Sequence, residues 1–403
     1  MSINDTMDGQ GRVLVFFEGK VDQDRLGRAV HLTIRANPML GFRFVDHHRR
    51  PYWQKVDEKD WSPYFVASDH SDERLHEFMV RPVDPSGAPQ VRVGLFRSTN
   101  DIVCIRMDHL AIDGGGAIRY LTELARTYRQ LMNEAVPIPT SANVMRPGPR
   151  DVLRTAGFLP SIKGLMGLRL PGAEWGLEGS NKDHNEQEFI IRRLEPCDLA
   201  AIRSYAKGHE VTVNDVLLAS YCRALFEICD PPRGKKLRVE VPTNLRRYLP
   251  RDSEGAACNL SAVYFLSIDR KDDEPFEGTL QRVHDDITRQ KESRIELGEM
   301  LLLELALVPG KFVLEKLEGM ADFQIAHPVI SNLGTIAPEM VDFGTVPVRD
   351  VQFIGPTLYP PNIGLGVSSF GERMTLNINC CSSSVDRHVM EKLMDTIVRE
   401  LPF

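Results

Sequence analysis

The run Ile102-Val103-Cys104-Ile105-Arg106-Met107-Asp108-His109-Leu110-Ala111-Ile112-Asp113-Gly114-Gly115-Gly116 decides how the rest of the chain is read. Ile102 to Arg106 has the composition of a strand, and it delivers a histidine to its end. An aspartate and three glycines then turn the backbone, after which Ile118, Leu121, Leu124, Ala125, Tyr128 and Leu131 recur at helical spacing. The polar turn Ser98-Thr99-Asn100-Asp101 links this strand to a preceding one, Val91 to Arg97, so the pair is expected to be antiparallel. A neutral imidazole takes a proton from a hydroxyl, amine or thiol near neutral pH and returns it to a leaving group, without metal or cofactor. Asp113 either pairs with His109 or turns away and ties the loop to an arginine, and spacing leaves both open. The three glycines permit backbone angles closed to other residues and allow close approach of backbone or substrate. If they open a helix at Ala117, their amides also face any nearby negative charge. The competing reading is a histidine buried and satisfied by the fold.

Working outward, 403 residues suit two domains of about 200 residues each. A net charge of −7 without a long basic run argues against nucleic acid as a partner. The polar, acid-bearing start, Met1 to Gly11, does not read as a signal peptide. The longest apolar run, Met300 to Pro309, is interrupted by Glu304 and falls short of the roughly 20 residues of a membrane span. These features read as a soluble, cytoplasmic protein. The seven cysteines are odd in number and fit no zinc spacing, so neither a disulfide framework nor a metal site is expected.

Along the chain, Arg12 to Glu18 reads as a strand, and Leu26, Val30 and Ile34 mark a helix that stops before Asn37-Pro38. Strands are expected at 40–45, 52–56, 188–194, 236–241, 264–268, 328–331, 346–354, 362–370 and 373–380. Helices are expected at 73–80, 151–158, 195–207, 213–228, 277–291, 295–317 and 385–400. Ser382-Ser383-Ser384 reads as the cap of the last of these. Thr212 with Asp215 three residues on reads as a helix start. A composition shift between about 135 and 185 places the boundary, giving a first lobe at 1–180 and a second at 181–403. Strands and helices occur in both, so the fold class is α+β with antiparallel or mixed sheets.

His109-Leu110-Ala111-Ile112-Asp113-Gly114 resembles the H-x-x-x-D-G signature of the chloramphenicol acetyltransferase-like superfamily. That superfamily includes alcohol and wax-ester acyltransferases, polyketide-associated acyltransferases, BAHD acyltransferases and condensation domains. Four further segments fall in the expected order. Val13–Gly19 with Val21–Leu40 is similar to the family's opening strand and helix. Thr212–Ala219 resembles its "TVNDVLLA" helix, Val241–Arg246 its "VPVNLR" strand, and Ser331-Asn332-Leu333-Gly334 its "SN-x-G" crossover.

The resemblance implies two similar lobes, each a mixed sheet flanked by helices, with a tunnel between them and His109 at its middle. It implies an acyltransferase that carries an acyl group from a coenzyme A thioester to a hydroxyl or amine, His109 acting as general base. No cofactor would be bound permanently; acyl-CoA or acyl-phosphopantetheine would be a co-substrate. Asp113, Gly114 and Arg246 are carried over as structural supports of the site. Ser331 and Asn332 either donate to an oxyanion or shape the crossover. A free-standing condensation domain fed by an acyl or peptidyl carrier protein, and a catalytically silent binding homologue, are the alternatives. Two departures stand out. Many relatives have a second histidine where this chain has Asp108, whose side chain is expected to face away from His109 by strand alternation. Asp342-Phe343-Gly344 matches only part of the BAHD D-F-G-W-G segment.

Overall fold

The computed structural model describes residues 6–47, 50–133, 148–168, 186–250, 257–306 and 328–403. Its strands are β1 (Gln10–Phe17), β2 (Phe42–Val45), β3 (Tyr52–Lys55), β4 (Phe65–Asp69), β5 (Val91–Arg97), β6 (Ile102–Asp108), β7 (Gln187–Leu194), β8 (Lys236–Asn244), β9 (Ser261–Asp269), β10 (Pro328–Ile336), β11 (Val348–Ile354), β12 (Ile363–Phe370) and β13 (Arg373–Cys381). Its helices are α1 (Gln23–Ala36), α2 (Asp72–Val80), α3 (Gly114–Gln130), α4 (Pro149–Ala156), α5 (Phe158–Gly167), α6 (Pro196–Gly208), α7 (Val213–Cys229), α8 (Phe276–Ser293), α9 (Ile295–Ala306) and α10 (Arg387–Arg399).

Two sheets organise the molecule. The first has the order β11-β1-β6-β5-β4 and the second the order β7-β13-β12-β10-β8-β9, with β2 and β3 forming a separate hairpin. Most neighbours are antiparallel; β4 with β5, β10 with β12 and β10 with β8 are parallel. The fold is therefore α+β with mixed sheets in two lobes. The expected division at 180/181 lies outside the described residues. One strand from beyond it, β11, pairs with β1 and belongs to the first sheet.

The two faces of the first sheet differ in chemistry. Val13, Val15, Val91, Val93, Val103, Ile105 and Met107 form one face, packed with Leu26, Val30 and Ile34 of α1 and Leu121 and Leu124 of α3. On the other face Leu14, Phe96 and Cys104 pack with Met79 of α2 and, from β7, Phe189 and Ile191. Toward the His109 end this second face turns polar. Register places Gln10 opposite Asp108, and Arg12 and Arg92 on either side of Arg106.

The second lobe's core gathers α7, β8, β9, β12, β13 and α10. Its outer strand β9 would leave backbone groups open, the usual liability of an edge strand. Here side chains from α8 and α9 close it: Glu299 accepts from the Val263 amide at 2.9 Å, and Gln290 both accepts from and donates to the backbone of Phe265 at 3.0 Å. The edge so held begins just after Cys258 and Leu260, both of which meet the His109 turn.

Several sequence expectations need adjustment. β4 and α5 were not expected; α5 carries Pro160, Gly164 and Gly167, so its sequence reads as loop. It forms because Gly164 presses on Gly298 of α9, where an added Cβ at 164 would meet the backbone of 298 at 2.7 Å. The last helix is capped by Asp386, whose carboxylate accepts from the His388 amide, and Ser382–Ser384 form the turn before it. The Thr212 capping box is present, with the Asp215 amide donating to Oγ1 of Thr212 at 3.2 Å. The expected helix at 295–317 is seen over Ile295–Ala306, and its remainder lies outside the described residues. No described helix is long and apolar enough to cross a membrane.

Candidate active site

β6 is buried along nearly its whole length between β1 and β5, so its end is rigidly placed. The chain leaves it through a turn held on both sides: the His109 amide donates to the carbonyl of Gly9, and the His109 carbonyl accepts from Nδ2 of Asn259 at 2.8 Å. One contact comes from the first lobe and the other from the approach to β9 in the second. His109 thus sits where the two lobes meet. Its ring is half-buried by exposure, yet the protein packed around it is dense enough for desolvation to hold its pKa below the ordinary histidine value. The charges of Asp113 and Asp8 and its own backbone carbonyl oppose that shift without overcoming it. The imidazole is therefore neutral at neutral pH, the form that accepts a proton.

Asp113 does not form a dyad with His109. It caps α3, one oxygen accepting from the Gly116 amide at 2.7 Å, and its other oxygen accepts from Nη1 of Arg246 at 2.9 Å and from the Leu260 amide at 2.8 Å. Arg246 is buried and also donates through Nη2 to the Cys258 carbonyl at 2.6 Å. Burial alone would lower the Arg246 pKa; Asp113, foremost, and Cys258 hold it above the ordinary arginine value. The pair is a buried, hydrogen-bonded bridge between lobes, an arrangement in which buried charges are tolerated.

The glycines serve close approach, and none of the three has a positive φ. A Cβ on Gly114 would lie 2.2 Å from Leu333, on Gly115 2.9 Å from Arg246 Nη1, and on Gly116 2.5 Å from the Cys258 carbonyl oxygen. The helix opens at Gly114, three residues earlier than the Ala117 start considered from the sequence, because the first turn lies flat against the second lobe.

The structure brings His109, Asp113, Gly114 and Arg246 into one cluster, with Leu333 of the SN-x-G segment packed on it. Ser331 and Asn332 stand on β10, just before Leu333, and Asn332 is engaged elsewhere. Asn332 donates to Oδ1 of Asn214 at 3.3 Å and accepts from the Gly334 amide, where a bulge and a φ of +73° redirect the strand. Among the described residues no hydrogen bond joins either to His109. Asn259 and Cys258 complete the cluster; Cys258 was not singled out from the sequence, because it acts through its backbone, which leaves no signature in residue type. Asp342–Gly344 is a tight turn on the far end of α3, where Asp342 pairs with Arg129 and Phe343 packs on Phe17. Five of the seven cysteines are buried. Among the described residues no group of side chains has the make-up of a metal site.

No family model matches this chain. Rv2305 of Mycobacterium tuberculosis (strain H37Rv) is 25% identical over 244 residues, 57% of this chain and 55% of that protein, so the chain matches about half the length of this relative. Gramicidin S synthase 2 of Brevibacillus brevis is 28% identical over 119 residues, 29% of this chain and 3% of that protein. Among solved structures, the trichothecene 15-O-acetyltransferase TRI3 of Fusarium sporotrichioides aligns with a TM-score of 0.74 at 12% identity, covering 98% of this chain and 91% of that one. The first condensation domain of the calcium-dependent antibiotic synthetase, with a substrate analogue, aligns at 0.73 and 16% identity over 98% and 91%. Polyketide synthase associated protein 5 of Mycobacterium tuberculosis aligns at 0.68 and 11% over 96% and 93%. The chain has the two-lobed fold of condensation domains and chloramphenicol acetyltransferase-like acyltransferases.

Proposed function

We propose that this protein is an acyltransferase that moves an acyl group from a coenzyme A thioester to a hydroxyl or amine, with His109 as general base. The observation that carries the reading is a histidine at the meeting of two lobes, kept neutral by its surroundings while the nearby carboxylate of Asp113 is drawn away by Arg246. In this reaction the acceptor's O–H or N–H proton passes to the imidazole as its heteroatom bonds to the thioester carbonyl carbon. The C–S bond then breaks, and the imidazolium returns the proton to the departing thiolate. Proton and electrons balance without a further reactant. Asp113, Gly114 and Arg246 hold the turn; Ser331 and Asn332 are the candidates for shaping the acceptor or oxyanion side. Donor and acceptor enter a tunnel between the lobes from opposite faces.

A second reading is favoured by the likeness to condensation domains and to a stretch of Gramicidin S synthase 2: the donor is a thioester on the phosphopantetheine arm of a carrier protein, with the same chemistry at His109. One experiment tests both. The protein is given acyl-CoA donors of graded chain length, or acyl-loaded carrier protein, together with small alcohols and amines, and free thiol is titrated. Thiol release that depends on acceptor and on one donor class assigns the donor. No release above the uncatalysed rate with either class contradicts the proposal.

A further inference from the structure

Asp108 is an unusual group to find one residue before the proposed base. It is 3% exposed, and among the described residues no ion pair joins it to a cation. The cations of its sheet face are occupied elsewhere. Arg106 lies over the Phe78 ring at 4.1 Å and donates to the Arg81 carbonyl. Arg12 pairs with Asp8 and donates to Gln187 and the Met79 carbonyl, and Arg92 donates to the carbonyls of Pro89 and Val91. From the segment after α2, Asp84 adds a like charge. What Asp108 does hold is the turn itself. Its Oδ1 accepts from the Ala111 amide at 3.2 Å, and the backbone of Leu110 also favours the charged carboxylate. Directly opposite on β1 stands Gln10, 1% exposed, whose side-chain oxygen and nitrogen both lack a partner among the described residues. A buried amide with nothing to bond is costly. Opposed residues of an antiparallel pair share a face about 5 Å apart, so the group that register sets against this amide is Asp108.

We propose that Asp108 is a positioning residue for His109: its ionised carboxylate draws the Ala111 amide inward and fixes the turn that carries the base, and its protonation relaxes the turn. The inference rests on the reading of His109 as the base. Amide bonds to an ionised acceptor are stronger than those to a neutral one, so the turn is tightest when Asp108 is charged. Burial, aided by Asp84 and resisted by the backbone of Ala111 and Leu110, pushes the Asp108 pKa up to about 7, whereas that of His109 is held below its ordinary value. Asp108 therefore takes up its proton at a higher pH than His109 and sets the upper part of the acid limb of activity.

Asp108→Asn is the neutral isostere and mimics the protonated state. Its kcat should fall about fivefold at pH 8 with KM unchanged, the rates of variant and parent should converge as pH falls, and its acid limb should move down to that of His109 alone. A second measurement needs no turnover: the Ala111 amide nitrogen shift should titrate near pH 7 in the parent, and the His109 ring should show an inflection there beside its own, both absent in Asp108→Asn. Titration absent from the parent, or limbs that coincide in parent and variant, would overturn the inference. Equal turnover by His109→Ala would instead contradict the proposed function, so the two failures are distinguishable.

Discussion

Two buried aspartates bracket His109 and have been given opposite treatment. Asp113 receives a buried arginine and two backbone amides, binding one lobe to the other. Asp108, five residues earlier, receives the Ala111 amide of its own turn and, among the described residues, no cation, and it faces a glutamine across the sheet whose amide has no partner among them. The first arrangement is a fastening whose charge is compensated and whose removal leaves its partner stranded. The second keeps a carboxyl near its titration point at the expense of stability, the kind of cost that concentrates at functional positions. Near a proposed general base, one carboxylate has been removed from the chemistry and another is placed to set the geometry on which the base depends.

That contrast is broken most forcefully at the fastening. Arg246→Met strands the Asp113 carboxylate between the lobes and should lower the unfolding free energy by about 3–5 kcal/mol in urea denaturation; a loss under about 1 kcal/mol would show that the bridge does not hold the lobes. Gly116→Ala puts a methyl 2.5 Å from the Cys258 carbonyl oxygen, against backbone that has little room to move. A destabilisation of about 1–3 kcal/mol is expected by the same measurement, with kcat falling because the first turn of α3 must tilt.

At Asp108 the sign reverses. Its pKa rises from an ordinary 3.8 to about 7 on folding, so the folded state binds the proton more tightly than the unfolded chain. Between those values stability falls as pH rises, because ionising Asp108 opposes folding. Asp108→Asn lacks this penalty and should be more stable than the parent at pH 8, by about 1–4 kcal/mol, with the gap closing toward pH 4. Urea melts of both proteins at pH 4.5 and pH 8 measure it, and a gap equal at the two would remove the unpaired carboxyl from the account. The smallest effect is expected at Asn259→Ala, which withdraws one hydrogen bond from the His109 carbonyl and should cost about 1 kcal/mol.

The sequence carried the strands flanking His109, the antiparallel pair they form, and the α+β class, since alternating and helical periods are written directly in residue type. It left the role of Asp113 open between two partners. Only the fold brings residue 246 to residue 113, and the resemblance to a known superfamily pointed to that pairing before the geometry did. The purpose of the three glycines was half legible: glycine announces close approach or a positive φ, and which one applies depends on what lies opposite. Asp108 was expected to face away from His109; what the structure adds is that its carboxylate accepts from the Ala111 amide. The orphaned Gln10 beside it was invisible, because a glutamine in a strand gives no sign of which neighbour its amide meets. α5 was missed for a related reason, its glycines being read as loop when they mark a close helix crossing.

The central claim is that the His109 imidazole carries the transferred proton. Thiol release by the parent and by His109→Ala, measured with the donor that the parent uses, tests it most directly. The account predicts a loss of about 10²–10⁴-fold in kcat with the fold intact; equal turnover by a folded His109→Ala protein would contradict it.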